Sequence, residues 1–286
     1  MFKKLLVIIG LLSVVIGGNA FAEKKESIQI KGSDTMVNLG QAWAEEFTKK
    51  YPQVNVAVTG GGSGTGIASL INGTCDIAES SRSIKEKEIK LAKGKGIEPK
   101  EHIVGKDGIA VVVHPSNPVQ NLTIGQLRDI FMGTIKNWKE LGGKDARIVL
   151  LSREVNSGTH IFFKEHVLRK GNEKGPEEFA PEALLMSSSQ AIADEIAQNN
   201  QAIGYYGMGY ISQKQKVIAI AMDTNSPCIE PVAEKIISGE YPISRPLFMY
   251  TKGEPEGAVK TFMDFVFSKE GQEIVKRIDF VPIKSL

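Results

Sequence analysis

Short β-rich runs alternate with amphipathic helical patterns along nearly the whole chain, and this alternation limits the fold more than any other feature of the sequence. Runs dense in Val, Ile and small residues predict strands at 27–31, 54–59, 75–79, 108–114, 147–151, 202–206, 216–220 and 246–250. Between them, helical periodicity is clearest at 37–50, 124–132, 190–198 and 258–267. In the last of these Val259, Phe262, Met263, Val266 and Phe267 recur three or four residues apart, so one face is apolar. Such alternation builds α/β domains around mainly parallel sheets. No internal repeat, low-complexity tract or long linker interrupts it. If there are two lobes, strands must pass between them, and the run at 108–114 and the stretch before Pro246 are the expected crossings.

The first residues have a different character. Lys3 and Lys4 precede an apolar stretch over 5–16, and Ala20-Phe21-Ala22 follows. This is the pattern of a secretory signal peptide, residues 1–22, with cleavage expected after Ala22. The apolar stretch is shorter than the ~20 residues a membrane-spanning helix needs. No cysteine lies near the cut to carry a lipid, so the expected product is exported and periplasmic. About 264 residues remain, more typical of two domains than of one. Without Lys3 and Lys4 the 35 basic residues fall to 33, equal to the 33 acidic ones. That balance argues against a nucleic-acid or polybasic membrane partner. The two cysteines, Cys75 and Cys228, are far apart; packed thiols are the expectation, and spacing alone does not exclude a disulfide.

Three segments share one design, in which a strand-like run ends in a turn rich in Gly, Ser and Thr and a helix begins at once. They are Gly32-Ser33-Asp34-Thr35-Met36, Gly61-Gly62-Ser63-Gly64-Thr65-Gly66 and Asn156-Ser157-Gly158-Thr159. A helix N-terminus offers unpaired N–H groups and about half a positive charge, so it suits an anion. Hydroxyls add donors, and glycine lets the backbone come close. Ser and Thr are also ordinary helix caps, so one such turn carries little weight. Three at strand-to-helix junctions, where open α/β sheets bind ligands, carry more. Arg153 stands four residues before Ser157, and Arg82 closes the run Glu79-Ser80-Ser81-Arg82 after another strand; both are candidates for the cation an oxyanion needs.

Catalytic readings find less support. The glycine run at 60–66 has neither the ending of a nucleophile elbow nor that of a P-loop or dinucleotide fingerprint. Of His102, His114, His160 and His166, the last two share a helix but sit six residues apart, on different faces, so no metal pair is expected. His160 reads as helix surface. Neither a cofactor nor a metal is expected.

With these segments in place, the sequence resembles the substrate-binding proteins of high-affinity phosphate ABC importers, a branch of the type II periplasmic binding proteins. The resemblance covers essentially all of the chain beyond residue 22. It rests on the three turns, on Cys75-Asp76-Ile77-Ala78 with Ser80-Ser81-Arg82, and on Ser152-Arg153-Glu154. Supporting blocks are Leu127-Arg128-Asp129-Ile130-Phe131 with Asn137-Trp138, Ala202-Ile203-Gly204-Tyr205, and Tyr241-Pro242-Ile243 with Arg245-Pro246-Leu247. It implies an α/β fold of two hinged lobes, residues 23–114 with 241–286 and residues 115–240, with the ligand in the cleft. It implies capture of inorganic phosphate by a monomer, delivery to the importer's membrane permease, and no catalysis.

For the site, the resemblance implies Thr35, the Met36 N–H and Ser63 from one lobe, and Arg153, Ser157, Gly158 and Thr159 from the other, with Ser81 and Arg82 beside them. Many family members carry aspartate where this chain has Ser81, an acceptor for the proton on phosphate. Asp34 could replace that acceptor or simply cap its helix. A binder of sulfate or molybdate, and an exported phosphoryl hydrolase, remain open as alternatives.

Overall fold

The computed structural model describes residues 26–283, so the expected signal peptide and its cleavage site lie outside the described residues. The chain begins with β1 (Glu26–Gly32), α1 (Val37–Lys50), β2 (Val54–Thr59), α2 (Ser63–Ile71), β3 (Ile77–Ser80) and α3 (Glu86–Gly94). A long strand, β4 (Lys100–Val113), leads to β5 (Asn121–Thr123), α4 (Ile124–Phe131), β6 (Val149–Arg153) and α5 (Gly158–Phe163). Then come β7 (Leu184–Met186), α6 (Ser189–Gln198), β8 (Ala202–Gly207), β9 (Lys216–Ala221) and α7 (Ala233–Ile237). The chain returns through β10 (Ser244–Thr251), α8 (Gly257–Phe267) and α9 (Lys269–Arg277).

Strands run in the order β2-β1-β3-β10-β4-β8-β6-β7, with β9 paired to β4 and β5. The pairs β1–β2, β1–β3, β5–β9, β6–β7 and β6–β8 are parallel. Every antiparallel pair involves β4 or β10, which carry the chain between the two halves of the sheet. β10 pairs with β4 up to Gly108, and β8 takes over from Ile109. One strand therefore serves both halves, and the change of partner falls between two adjacent residues. The sequence shows only the second part of β4, because 100–107 reads KEHIVGKD and its polar alternation hides a half-exposed strand.

Each half follows from apolar periodicity. On α1 the buried residues Leu39, Gly40, Trp43, Ala44 and Phe47 form one stripe, and Trp43 Nε1 donates to the Gly271 carbonyl at 2.8 Å, tying α1 to α9. All six residues of β8 are buried, as expected for a strand covered on both faces. Cys75 is buried and Cys228 exposed, and both are free thiols, so only Cys75 is packed as expected. Among the described residues no helix is long and apolar enough to cross a membrane.

Glu79 breaks the pattern of β3. Its side chain is fully buried and neither carboxyl oxygen has a hydrogen-bond partner among the described residues. A Cβ placed on Gly40 would lie 2.4 Å from its Oε1, so the carboxyl fills the gap under α1 that this glycine leaves. Burial pushes its pKa well above the ordinary carboxylate range. The folded chain therefore holds a proton that the unfolded chain releases near pH 4.3, and stability falls as pH rises from there toward the raised value. Glu79→Gln has no proton to lose. It is expected to melt at least about 3 °C above the wild type at pH 8 and close to it at pH 4. A gap that does not change between those two pH values in thermal scans would show that Glu79 is not held protonated.

Candidate functional site

The parallel strands place the three Gly/Ser/Thr turns at their carboxyl ends, where α/β sheets open to ligands. Ser33 to Met36 follow β1, Gly60 to Gly62 follow β2, Ser81 and Arg82 follow β3, and Glu154 to Ser157 follow β6. The first three belong to one half of the sheet and the last to the other, and the four ends converge.

Within the first half, Ser33 Oγ donates to Ser81 Oγ at 3.0 Å, Ser63 Oγ lies 3.4 Å from Ser81 Oγ, and the Ser81 N–H donates to Ser63 Oγ at 3.1 Å. Across the seam, Thr35 Oγ1 and Thr159 Oγ1 stand 2.9 Å apart. All five hydroxyl residues are at most 2% exposed. So many buried hydroxyls, bonded largely to one another, form a dry cradle that can turn protons toward an anion. Gly158 brings the second half against this cluster: a Cβ there would lie 2.3 Å from Ser63 Oγ and 2.6 Å from Ser81 Oγ. Gly62, at φ 90°, lets the α2 turn pass under the Asn156 carbonyl, which accepts from the Gly64 N–H at 3.0 Å.

Two predicted donors have local duties instead. Ser157 Oγ caps α5, accepting from the N–H groups of Thr159 and His160, and the Met36 N–H closes a turn on the Ser33 carbonyl. Both residues still lie at the seam, and both shape the loops that carry Thr35 and Thr159.

Three arginines surround the cluster, each matched by a carboxylate. Arg153, 1% exposed, donates through Nη2 to Asp34 Oδ2 at 2.8 Å and to the Ser187 carbonyl. Its Nη1 reaches Ser189 Oγ and its Nε the Met186 carbonyl, so none of its donors goes to residues 157–159. Asp34 also accepts from the Gly61 N–H at 2.9 Å, so in the structure it ties the halves together. Arg82 grips Glu88 with both terminal nitrogens, at 2.8 and 2.7 Å, and this partner holds the Glu88 carboxyl below its ordinary pKa against the opposing pull of burial. Its Nε is buried without a partner among the described residues, an unused donor at the edge of the cluster. On that side the seam opens to a cavity of about 730 Å³ lined by Lys85, Phe162, His166 and Lys174, and bridged by a Lys85–Glu165 ion pair at 3.0 Å.

The third arginine, Arg245, has no place among the sequence-derived site residues. It sits on β10 against fully buried Asp107, with Nε and Nη2 at 3.0 and 2.8 Å from Oδ2, and Nη2 lies 3.0 Å from Thr159 Oγ1. The only hint in the sequence is the Arg245-Pro246-Leu247 block. Strand pairing, not nearness in sequence, brings it to the cluster.

His160 is not on the surface. Only 4% exposed, it bonds Ser152 Oγ through Nδ1 at 3.2 Å and packs on Phe179, and burial lowers its pKa to about 4. The short α5 turns it inward, and a neutral, committed imidazole is no base for Thr159. Among the described residues no three His, Cys, Asp or Glu side chains gather as metal ligands.

A two-part α/β fold, joined by crossing strands and closed over a buried cluster of hydroxyls, defines a ligand-binding protein of the periplasmic-binding-protein class. Residues 19–270 match the family model of the PBP superfamily domain. The chain is 36% identical to the phosphate-binding protein PstS of Bacillus subtilis (strain 168), over 91% of this chain and 82% of that one. To PstS of Pseudomonas aeruginosa it is 32% identical, over 88% and 81%. A solved Clostridium perfringens structure, described as a phosphate ABC transporter substrate-binding protein with bound phosphate, aligns with TM-score 0.80 at 34% identity, covering 91% of this chain and all of that one. The chain belongs to the PstS family of phosphate-binding proteins within the PBP superfamily.

Proposed function

We propose that this chain captures inorganic phosphate in the seam between its two halves and delivers it to the membrane permease of an ABC importer. The observation that carries this reading is the closed cluster of Ser33, Thr35, Ser63, Ser81 and Thr159, five buried hydroxyls drawn from both halves. A desolvated dianion needs a donor for every water it gives up, and this cluster supplies donors in quantity. Membership of the PstS family supplies the identity of the anion. The protein acts as a monomeric binder in the periplasm, without catalysis. Its lobes are residues 23–114 with 241–286 and residues 115–240, and the crossing inside β4 at Gly108–Ile109 and the return through β10 support a hinge there. The ligand drives closure because only the closed form lets it touch both halves. Thr35, Met36, Ser63, Ser81, Arg82, Arg153, Ser157, Gly158 and Thr159 form the site.

Phosphate at a hundredfold excess over its dissociation constant is expected to stabilise the protein by about 2.7 kcal/mol. A thermal scan without any shift at millimolar phosphate would sink the assignment. Titration calorimetry with phosphate, sulfate and molybdate ranks the anions, and turnover of a phosphomonoester would replace the binder with a hydrolase.

A further inference from the structure

The two crossing strands touch the hydroxyl cluster at one point. Asp107 on β4 and Arg245 on β10 are register partners, one residue before β4 ends its pairing with β10. Asp107 is held from three directions: Oδ2 takes Nε and Nη2 of Arg245, and Oδ1 takes the Met208 N–H at 3.0 Å, just past β8 in the other half. Burial raises the pKa of this carboxyl and lowers that of Arg245, and each charge opposes the shift in the other. Rooted there, the guanidinium reaches the Ser81 carbonyl at 2.9 Å, Thr159 Oγ1 at 3.0 Å and Thr35 Oγ1 at 3.5 Å, with its carbon 5.6 Å from the Phe162 ring centre. Among the described residues no other guanidinium meets hydroxyls from both halves.

Arginine can only donate. A threonine hydroxyl that accepts from it must therefore point its own proton elsewhere. With the Thr35 and Thr159 oxygens both facing Nη2 and 2.9 Å from each other, one proton lies between the two oxygens and the other is left for a third acceptor, an oxygen of a bound anion. Arg245 in this way fixes the direction of the two hydroxyls that span the seam. Asp107 makes its position depend on the register of the crossing strands.

We propose that Arg245 is a positioning residue for the anion: it orients the Thr35 and Thr159 hydroxyls as donors and couples occupancy of the cluster to the strands about which the halves move. This rests on the reading of the cluster as a phosphate site.

Arg245→Ala alone would strand a buried carboxylate and confuse binding with folding. The double variant Arg245→Gln/Asp107→Asn removes both charges together. It is expected to unfold cooperatively, to bind phosphate about a hundredfold more weakly in calorimetry, and to lack the phosphate-dependent shrinkage expected of the wild type in solution X-ray scattering. A purely structural role would lower the melting temperature and leave affinity and shrinkage alone, and a folded double variant within threefold of wild-type affinity overturns the proposal. Should the double variant fail to fold, Arg245→Lys carries the test. One ammonium can stay with Asp107 but cannot also reach both threonines, so a comparable loss is expected and wild-type affinity is fatal to the idea. A wild type that takes sulfate and not phosphate overturns the phosphate reading alone, and the same variants are then scored on sulfate.

Discussion

Gly158→Ala is expected to abolish tight phosphate binding while leaving a folded protein. The added methyl would lie 2.3 Å from Ser63 Oγ and 2.6 Å from Ser81 Oγ, closer than any real Cβ contact, and both serines are fully buried. The second half must then stand off from the first. Overpacking of this kind costs up to about 3 kcal/mol. All of it falls on the closed form, so affinity should drop by up to roughly a hundredfold. The ligand-free protein can relieve the clash by opening, so its melting temperature should move little. Calorimetry and a thermal scan on one preparation decide it: wild-type affinity in the alanine variant would mean that the halves do not meet at Gly158 when the ligand is bound.

Arg153→Ala carries the other large effect. Its partner Asp34 lies across the seam, so the substitution both breaks a link between the halves and leaves a carboxylate facing the anion. Losing one member of a buried, hydrogen-bonded charge pair costs about 2–5 kcal/mol, and here the cost should appear in phosphate affinity. Arg82→Ala breaks a pair of similar burial, but Glu88 lies on α3, in the same half as Arg82. Its loss should therefore lower the melting temperature, with less than about a tenfold change in affinity. The reverse pattern, affinity lost with Arg82 and kept with Arg153, would move the working cation to the other side of the cluster.

The sequence makes the turns legible because each is local. Glycine, hydroxyls and the start of a helix fall within five residues, and the chemistry of a helix N-terminus does not depend on what packs around it. The helix over 37–50 has the predicted limits for the same reason, since its stripe of Leu39, Trp43 and Phe47 is complete in itself. Features that depend on pairing between distant segments stay hidden. Arg245 joins the cluster only because β10 runs antiparallel to β4, which sets it opposite a residue 138 positions earlier. Ser157 was visible as a hydroxyl at the right place, but whether it faces a ligand or caps its own helix is a matter of rotamer. His160 reads as surface because α5 is only six residues long, too short for helical periodicity to tell its inner face from its outer one. In β4 the apolar run marks where the strand is buried and is silent about where it begins.

The pairing of every arginine at the seam with a carboxylate bears on kinetics as well as on affinity. Matched pairs cast little field beyond a Debye length, about 8 Å at physiological ionic strength. These pairs are therefore expected to give an approaching anion little steering from afar, and the rate of capture to depend little on salt. If the halves separate, Arg82 and Arg245 keep the carboxylates of their own half while Arg153 parts from Asp34, so one of the three arginines is expected to hold the anion as it leaves.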